Sequence, residues 1–216
     1  KLMMQMAVPS IIAQIINILY NIVDRIYIGH ISRVGASALT GVGLTFPIIT
    51  LISAFSAFVG TGGAPLAAIW MGKKDRKHAE RILGTGVFML LCFSVVLMAA
   101  FFLFQKPLLY AFGASDATIG YAMDYLTIYL IGTVFVQLAL GLNPFIIAQG
   151  RSRTAMMSIV IGAVINIGLD PVFIFVFHLG VKGAAIATVI SQAVSAAWNV
   201  RALMDKNAQM RIVPAY

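Results

Sequence analysis

Charge is what this sequence has least of. Only 10% of its 216 residues are Asp, Glu, Lys or Arg, while 61% are hydrophobic and the mean hydropathy is +0.96. A soluble domain carries about 25% charged residues, so a water-soluble fold is excluded. One cysteine, Cys92, excludes an intramolecular disulfide and leaves no cysteine cluster for a metal. A Gly-rich phosphate loop, an HExxH pair and a nucleophile paired with a base are all missing, so the chain does not read as an enzyme. A diaspartyl membrane protease built on Asp24 and Asp170 is the one remote enzymatic reading. No short apolar region followed by a cleavage site is seen, so no signal peptide is expected. The chain begins at Lys1 without a Met, as a trimmed chain or a fragment would.

Long apolar runs fill the space. The expectation is an all-α membrane protein, a bundle of six transmembrane helices over residues 1–204. The first span covers 6–28, with Pro9 in its first turns and Asp24-Arg25 near its far end. Between Arg33 and Lys73 lie 39 uncharged residues, too long at about 1.5 Å per residue for a core of about 30 Å. This is read as one long, tilted or kinked helix with Pro47 and Pro65 as candidate bends. A third span, 82–104, ends in a turn at Gln105-Lys106-Pro107 and an interfacial segment to 117. The fourth runs 119–148 with Gln137 midway, the fifth 154–177 and the sixth 183–203. Residues 205–216 form a cytoplasmic tail or the start of a linker.

Six spans put both termini on one side. Of fifteen basic residues, Arg25, Arg33, Lys106 and Lys182 fall on the far side and the other eleven on the side of the termini. The positive-inside rule makes that side cytoplasmic, at a cell membrane. The same rule accounts for the net charge of +8, which in a soluble protein would raise nucleic acid as a partner. The lipid bilayer is the expected partner here, and nucleic acid is not.

Within the fifth run, Asp170 is the one charge, and a carboxylate at membrane depth is costly unless it has a function. Asn166 lies four residues earlier, on the same helix face. Pro171 lacks an N–H, so the Ile167 carbonyl loses its helical partner and the helix can bend there. Helical rise puts Asp24 and Asp170 at a similar height, roughly 24–27 Å from the cytoplasmic ends of their spans. Thr188 enters from outside to a comparable level. If these helices are neighbours, the two carboxylates, an amide and a hydroxyl converge. Two carboxylates in low dielectric share a proton more readily than both ionise, and the same oxygens suit a small hard cation. Other readings stand beside this one. Asp24 with Arg25 fits an interfacial charge pair, and Asn166 and Thr188 fit interhelical hydrogen bonding. Asp124 reads as a solvated boundary residue, and His30, His78 and His178 as exposed loop residues without ligand spacing.

Several of these stretches resemble the N-terminal half of the multidrug and toxic compound extrusion (MATE) antiporters. They are Pro9 with Tyr20-Asn21-Ile22-Val23-Asp24, Gln149-Gly150-Arg151, Asn166-Ile167-Gly168-Leu169-Asp170-Pro171, and Gly183 through Thr188. The resemblance implies one lobe of a twelve-helix, two-lobe exporter of organic, cationic compounds, driven by H+ or Na+ and without a cofactor. It implies that Asp24, Asn166, Asp170 and Thr188 couple the cation, with Na+ the only metal in view. It also implies that Pro9 and Pro171 permit bending, and that Tyr20 and Tyr125 line the substrate cavity. A second six-span lobe, in the same chain or another, is the implied partner. The chain is then a fragment, a half that pairs, or a degenerate copy. Lipid-linked precursor flippases share the broad architecture, and a membrane packing subunit without transport is the third alternative.

Overall fold

The computed structural model describes residues 2–31, 34–205 and 208–213. Lys1, Arg33 and Lys206 of the charge count, and residues 214–216 of the tail, lie outside the described residues. Among the described residues all regular structure is helical: α1 (Leu2–Gly29), α2 (Gly35–Leu44), α3 (Phe46–Gly72), α4 (Arg76–Ala111), α5 (Ile119–Ile131), α6 (Thr133–Ala148), α7 (Ser152–Pro171) and α8 (Val181–Met204). A single π-helical stretch, Val172–Val176, follows α7. Five stretches are long and apolar enough to cross a membrane, and α5 with α6 makes a sixth if that bent pair is one span. The chain is therefore a multi-pass, all-helical membrane protein.

Two expectations about the spans need correction and one is refined. The long uncharged run is one apolar stretch, Gly35–Gly72, interrupted at Thr45 two residues before Pro47, while Pro65 sits inside an uninterrupted α3. Thr45 bonds its own hydroxyl to the Val42 carbonyl at 2.7 Å, and Pro47 occupies the first turn of α3, where no N–H is needed. The turn expected at Gln105-Lys106-Pro107 is absent, and α4 continues to Ala111. At 36 residues α4 is about 54 Å long, more than a bilayer core of about 30 Å. The fourth span is not one helix: α5 and α6 meet at Gly132 at an angle of 61°.

Packing follows the rules of apolar surroundings, where small residues and polar contacts, not the hydrophobic effect, select neighbours. Helix α3 lies against α6 and α4, α1 against α7, and α8 against α5, α6 and α7. Side chains clamp α3 to α6: Gln137 donates to the Ile52 carbonyl at 3.1 Å and accepts from the Ser56 hydroxyl. Of the five unbroken spans α8 is the most enclosed and α1 the least. One apolar cluster, including Ile52, Leu126 and Ile174, fills one half of the bundle; Leu90, Phe145 and Leu203 belong to the other.

The segment after α8 folds back on the bundle. Ala208 and Met210 are buried, and the Met210 N–H donates to Gln149 Oε1 at 3.2 Å. Arg76 donates to the Ala208 carbonyl at 3.1 Å, and the Ile212 N–H to the Leu203 carbonyl at 3.1 Å.

Candidate functional site

The four polar residues singled out in three different spans come together. Asp24 is carried by α1, Asn166 and Asp170 by one face of α7, and Thr188 by α8, and all four are buried. Asn166 ties the group, its Nδ2 lying 3.4 Å from both Asp170 Oδ1 and Thr188 Oγ1. The carboxyls of Asp24 and Asp170 lie within hydrogen-bonding reach of each other. Helix α7 ends at Pro171, and the wider π turn that follows keeps the backbone helical beyond the proline.

Donors are short at this point. Asp24 Oδ1, Asp170 Oδ2 and Asn166 Oδ1 are buried without a hydrogen-bond partner. Two ionised carboxylates cannot donate to each other, and oxygens of this kind have the chemistry to take a proton or a small hard cation. Arg25 does not fill that role. Its guanidinium stands over the Phe46 ring, 4.3 Å from the centroid, and no ion pair joins it to Asp24 among the described residues. The donor set is all oxygen with two carboxylates, and no group of three His, Cys, Asp or Glu forms a metal site among the described residues.

Aromatic residues flank the acids. Tyr125 is buried, with its hydroxyl in reach of Thr188 and within electrostatic range of Asp24. Tyr20, half-buried one turn before Asp24, also lies within electrostatic range of it. Tyr129 completes the set, stacked on Tyr125 with centroids 6.3 Å apart. Sequence reading passed over Tyr129, although its spacing from Tyr125 put it on the same helix face. Pro9 is buried inside α1. Asp124 is half-buried and pairs with Lys182 at 3.4 Å. His78 sits beside Asp75 at the start of α4, and His30 and His178 are exposed at chain turns.

Gln149-Gly150-Arg151 lies at the opposite end of the bundle from the acids. Gly150 has φ +74, a left-handed conformation that glycine adopts freely. That turn presents Gln149 to Met210 and directs Arg151 to the Ala202 carbonyl (2.8 Å) and Asp205 (3.3 Å). The motif holds the end of α8 and the segment after it.

Comparison with known proteins fits this arrangement. The pattern of the MatE family matches residues 9–172. A multidrug export protein MepA of Staphylococcus haemolyticus is 29% identical over 207 residues, covering 96% of this chain and 45% of the relative. MepA of Staphylococcus aureus strain NCTC 8325 is 24% identical, covering 91% of this chain and 43% of its own length. A crystal structure of MATE in the bent conformation superimposes with a TM-score of 0.90 at 27% identity, covering 98% of this chain and 47% of that one. An outward-facing multidrug resistance MATE family transporter gives 0.91 at 26% identity, covering 99% and 47%. The chain spans about half the length of the curated relatives it matches. With a family match across most of its spans and a shared helical fold, the chain belongs to the MatE family.

Proposed function

We propose that this chain is one lobe of a secondary active multidrug exporter that couples efflux of organic, cationic amphipathic compounds to entry of H+ or Na+. The observation that carries this reading is the meeting of Asp24 and Asp170, two buried acids with orphaned oxygens and, among the described residues, no ion pair to a base. Ionised, the pair favours a bound cation. Entry of H+ or Na+ neutralises it and removes the charge that keeps α1 straight. Pro9 in α1 and Pro171 at the end of α7 are the points where the helices yield, so that substrate is displaced from beside Tyr20 and Tyr125. Aromatic faces there suit a cationic substrate. A second six-span lobe supplies the other wall of the cavity, in agreement with relatives about twice as long.

The excess of basic residues on the side of the termini supports a cell-membrane orientation with both termini cytoplasmic. A role in catalysis has no support beyond the acid pair itself. A precursor flippase needs basic residues for a pyrophosphate, and the nearest one, Arg25, is committed to Phe46. Drug efflux by the two-lobe transporter carrying Asp170→Asn tests the proposal. Loss of cation-driven efflux is expected. Unchanged efflux would argue for a packing subunit.

A further inference from the structure

A groove of about 630 Å³ runs between α3 and α4, on elements that carry none of the acid cluster. On α3, Phe58, Gly62, Leu66 and Trp70 line it at four-residue spacing, and Ile82 and Met89 line it from α4. Phe145 of α6 closes the floor: a Cβ on Gly63 would lie 2.6 Å from its Cζ, and one on Gly86 3.2 Å. The rim is apolar and faces outward, with Phe58 65% and Leu66 48% exposed. A Cβ on Gly62 would meet nothing within 4 Å, so the groove is open there.

Its two ends differ. At one, Phe58 and Met89 lie well inside the apolar lengths of their spans. At the other stand Trp70, His78 and Arg81. The His78 ring stacks on Trp70 with centroids 4.5 Å apart, and Lys73 Nζ lies 4.6 Å from the Trp70 ring centre. Residues 73–81 hold five bases, and both acids among them are engaged, Asp75 by His78 at 2.7 Å and Glu80 by Arg76 at 2.8 Å. A tryptophan beside bases at the end of a span marks the level of the lipid headgroups. From Trp70 to Phe58 is 12 residues, about 18 Å of helix, where one leaflet fills half of a core of about 30 Å. The groove is therefore about as long as one leaflet is deep, apolar along that length and basic at its headgroup end. Those are the dimensions and charge that suit an anionic phospholipid, and not an organic cation, which the bases would repel.

We propose that the α3–α4 groove binds one anionic phospholipid, with an acyl chain along Gly62 and Leu66 and the phosphate held by Arg81 and Lys73 beside Trp70. Arg81 lies within electrostatic range of Asp75, and its five-donor guanidinium still offers a fork to a phosphate. Lys73 adds a point charge. Bases set between spans at headgroup level are where anionic lipids seat. The site is separate from the acid pair, and neither the coupling ion nor the exported compound enters into it.

The test is photocrosslinking in the two-lobe transporter held in lipid nanodiscs. Phosphatidylglycerol or phosphatidylcholine carries a diazirine on one acyl chain, and the labelled peptides are identified by mass spectrometry. Phosphatidylglycerol is expected to label residues 58–70 and 82–89 about fivefold more than phosphatidylcholine, the effect of about one charge at a membrane surface. Arg81→Gln should erase that preference, and Arg81→Lys should keep most of it. Lys77→Gln removes the same charge from the same loop but not from the groove lining, and should leave the preference unchanged. Gly62→Leu fills the open part of the groove, so it should keep the parent's unfolding temperature and lose labelling by both lipids. It is the independent arm should Arg81→Gln fail to fold. No labelling in the parent would assign the groove to another occupant, such as the second lobe, and overturn the proposal. Equal labelling by the two lipids would mean ordinary contact with the bilayer and overturn it as well. Equal loss in Lys77→Gln and Arg81→Gln, or full labelling in Gly62→Leu, would do the same.

Discussion

Asp24 of α1 and Asp170 of α7 are far apart in the sequence, yet their carboxyls lie within hydrogen-bonding reach inside the bundle. The contact joins the most exposed of the five unbroken spans to one packed against the well-enclosed α8. A change of charge at this contact therefore acts on the helix with the fewest other restraints, which is where a small energy produces the largest movement.

Gly183 fixes the far end of this arrangement. A Cβ there would lie 2.7 Å from both the carbonyl carbon and oxygen of Phe173, and 3.0 Å from the Ile174 nitrogen. These are backbone atoms of the π turn after Pro171, so they cannot rotate away. Gly183→Ala should cost about 1–3 kcal/mol of stability and displace Asp170, seen as a lower unfolding temperature in detergent and weakened coupling. Gly168→Ala is the control. Its Cβ would meet nothing within 4 Å, and its unfolding temperature should not fall.

Arg151→Gln should release the segment after α8. The variant loses a 2.8 Å bond to the Ala202 carbonyl and a 3.3 Å ion pair with Asp205. Hydrogen bonds to a charged group are worth about 1.5–3 kcal/mol, and the partial exposure of this pair puts it at the low end. Limited proteolysis should then cut residues 208–213 faster while the spans stay protected. Unchanged cutting would show that Gln149 and Arg76 suffice to hold the segment.

Asp75 caps α4, its Oδ1 accepting from the His78 N–H at 3.1 Å and its Oδ2 lying 2.7 Å from His78 Nδ1. The backbone bond, with burial opposing it and the imidazole and Arg81 adding to it, holds this carboxyl below the usual carboxylate range. A depressed carboxylate stabilises the fold above its unfolded value, and the contribution disappears as pH falls through the folded value. Asp75→Ala should therefore speed amide exchange in the first turn of α4 at neutral pH. At a pH below the folded carboxyl's range, variant and parent should exchange alike.

Much of this was legible because membrane spans write themselves in apolar length and rare charge. Asp170 stood out as the only charge in its run, and four-residue spacing placed Asn166 on its face. The family followed from the motifs around them. Breaks within a span were harder to read. Gly132 lies in an apolar run without any local signal stronger than a Gly-Thr pair, and the bend there reflects its packing against Val189 of α8. Pro107 gave a false turn because a helix continues past a proline near its end at the loss of only one hydrogen bond. The clamp by Gln149 and Arg151 depends on where the chain goes after α8, which no local pattern contains.

Counting cations released on substrate binding is the most direct test of the acid pair. Purified two-lobe transporter, with pH and Na+ electrodes in one cell, should release about one small cation per molecule as substrate saturates. Asp24→Asn with Asp170→Asn should release none while still folding. Substrate binding without release in the parent, or equal release from the double variant, would contradict the account.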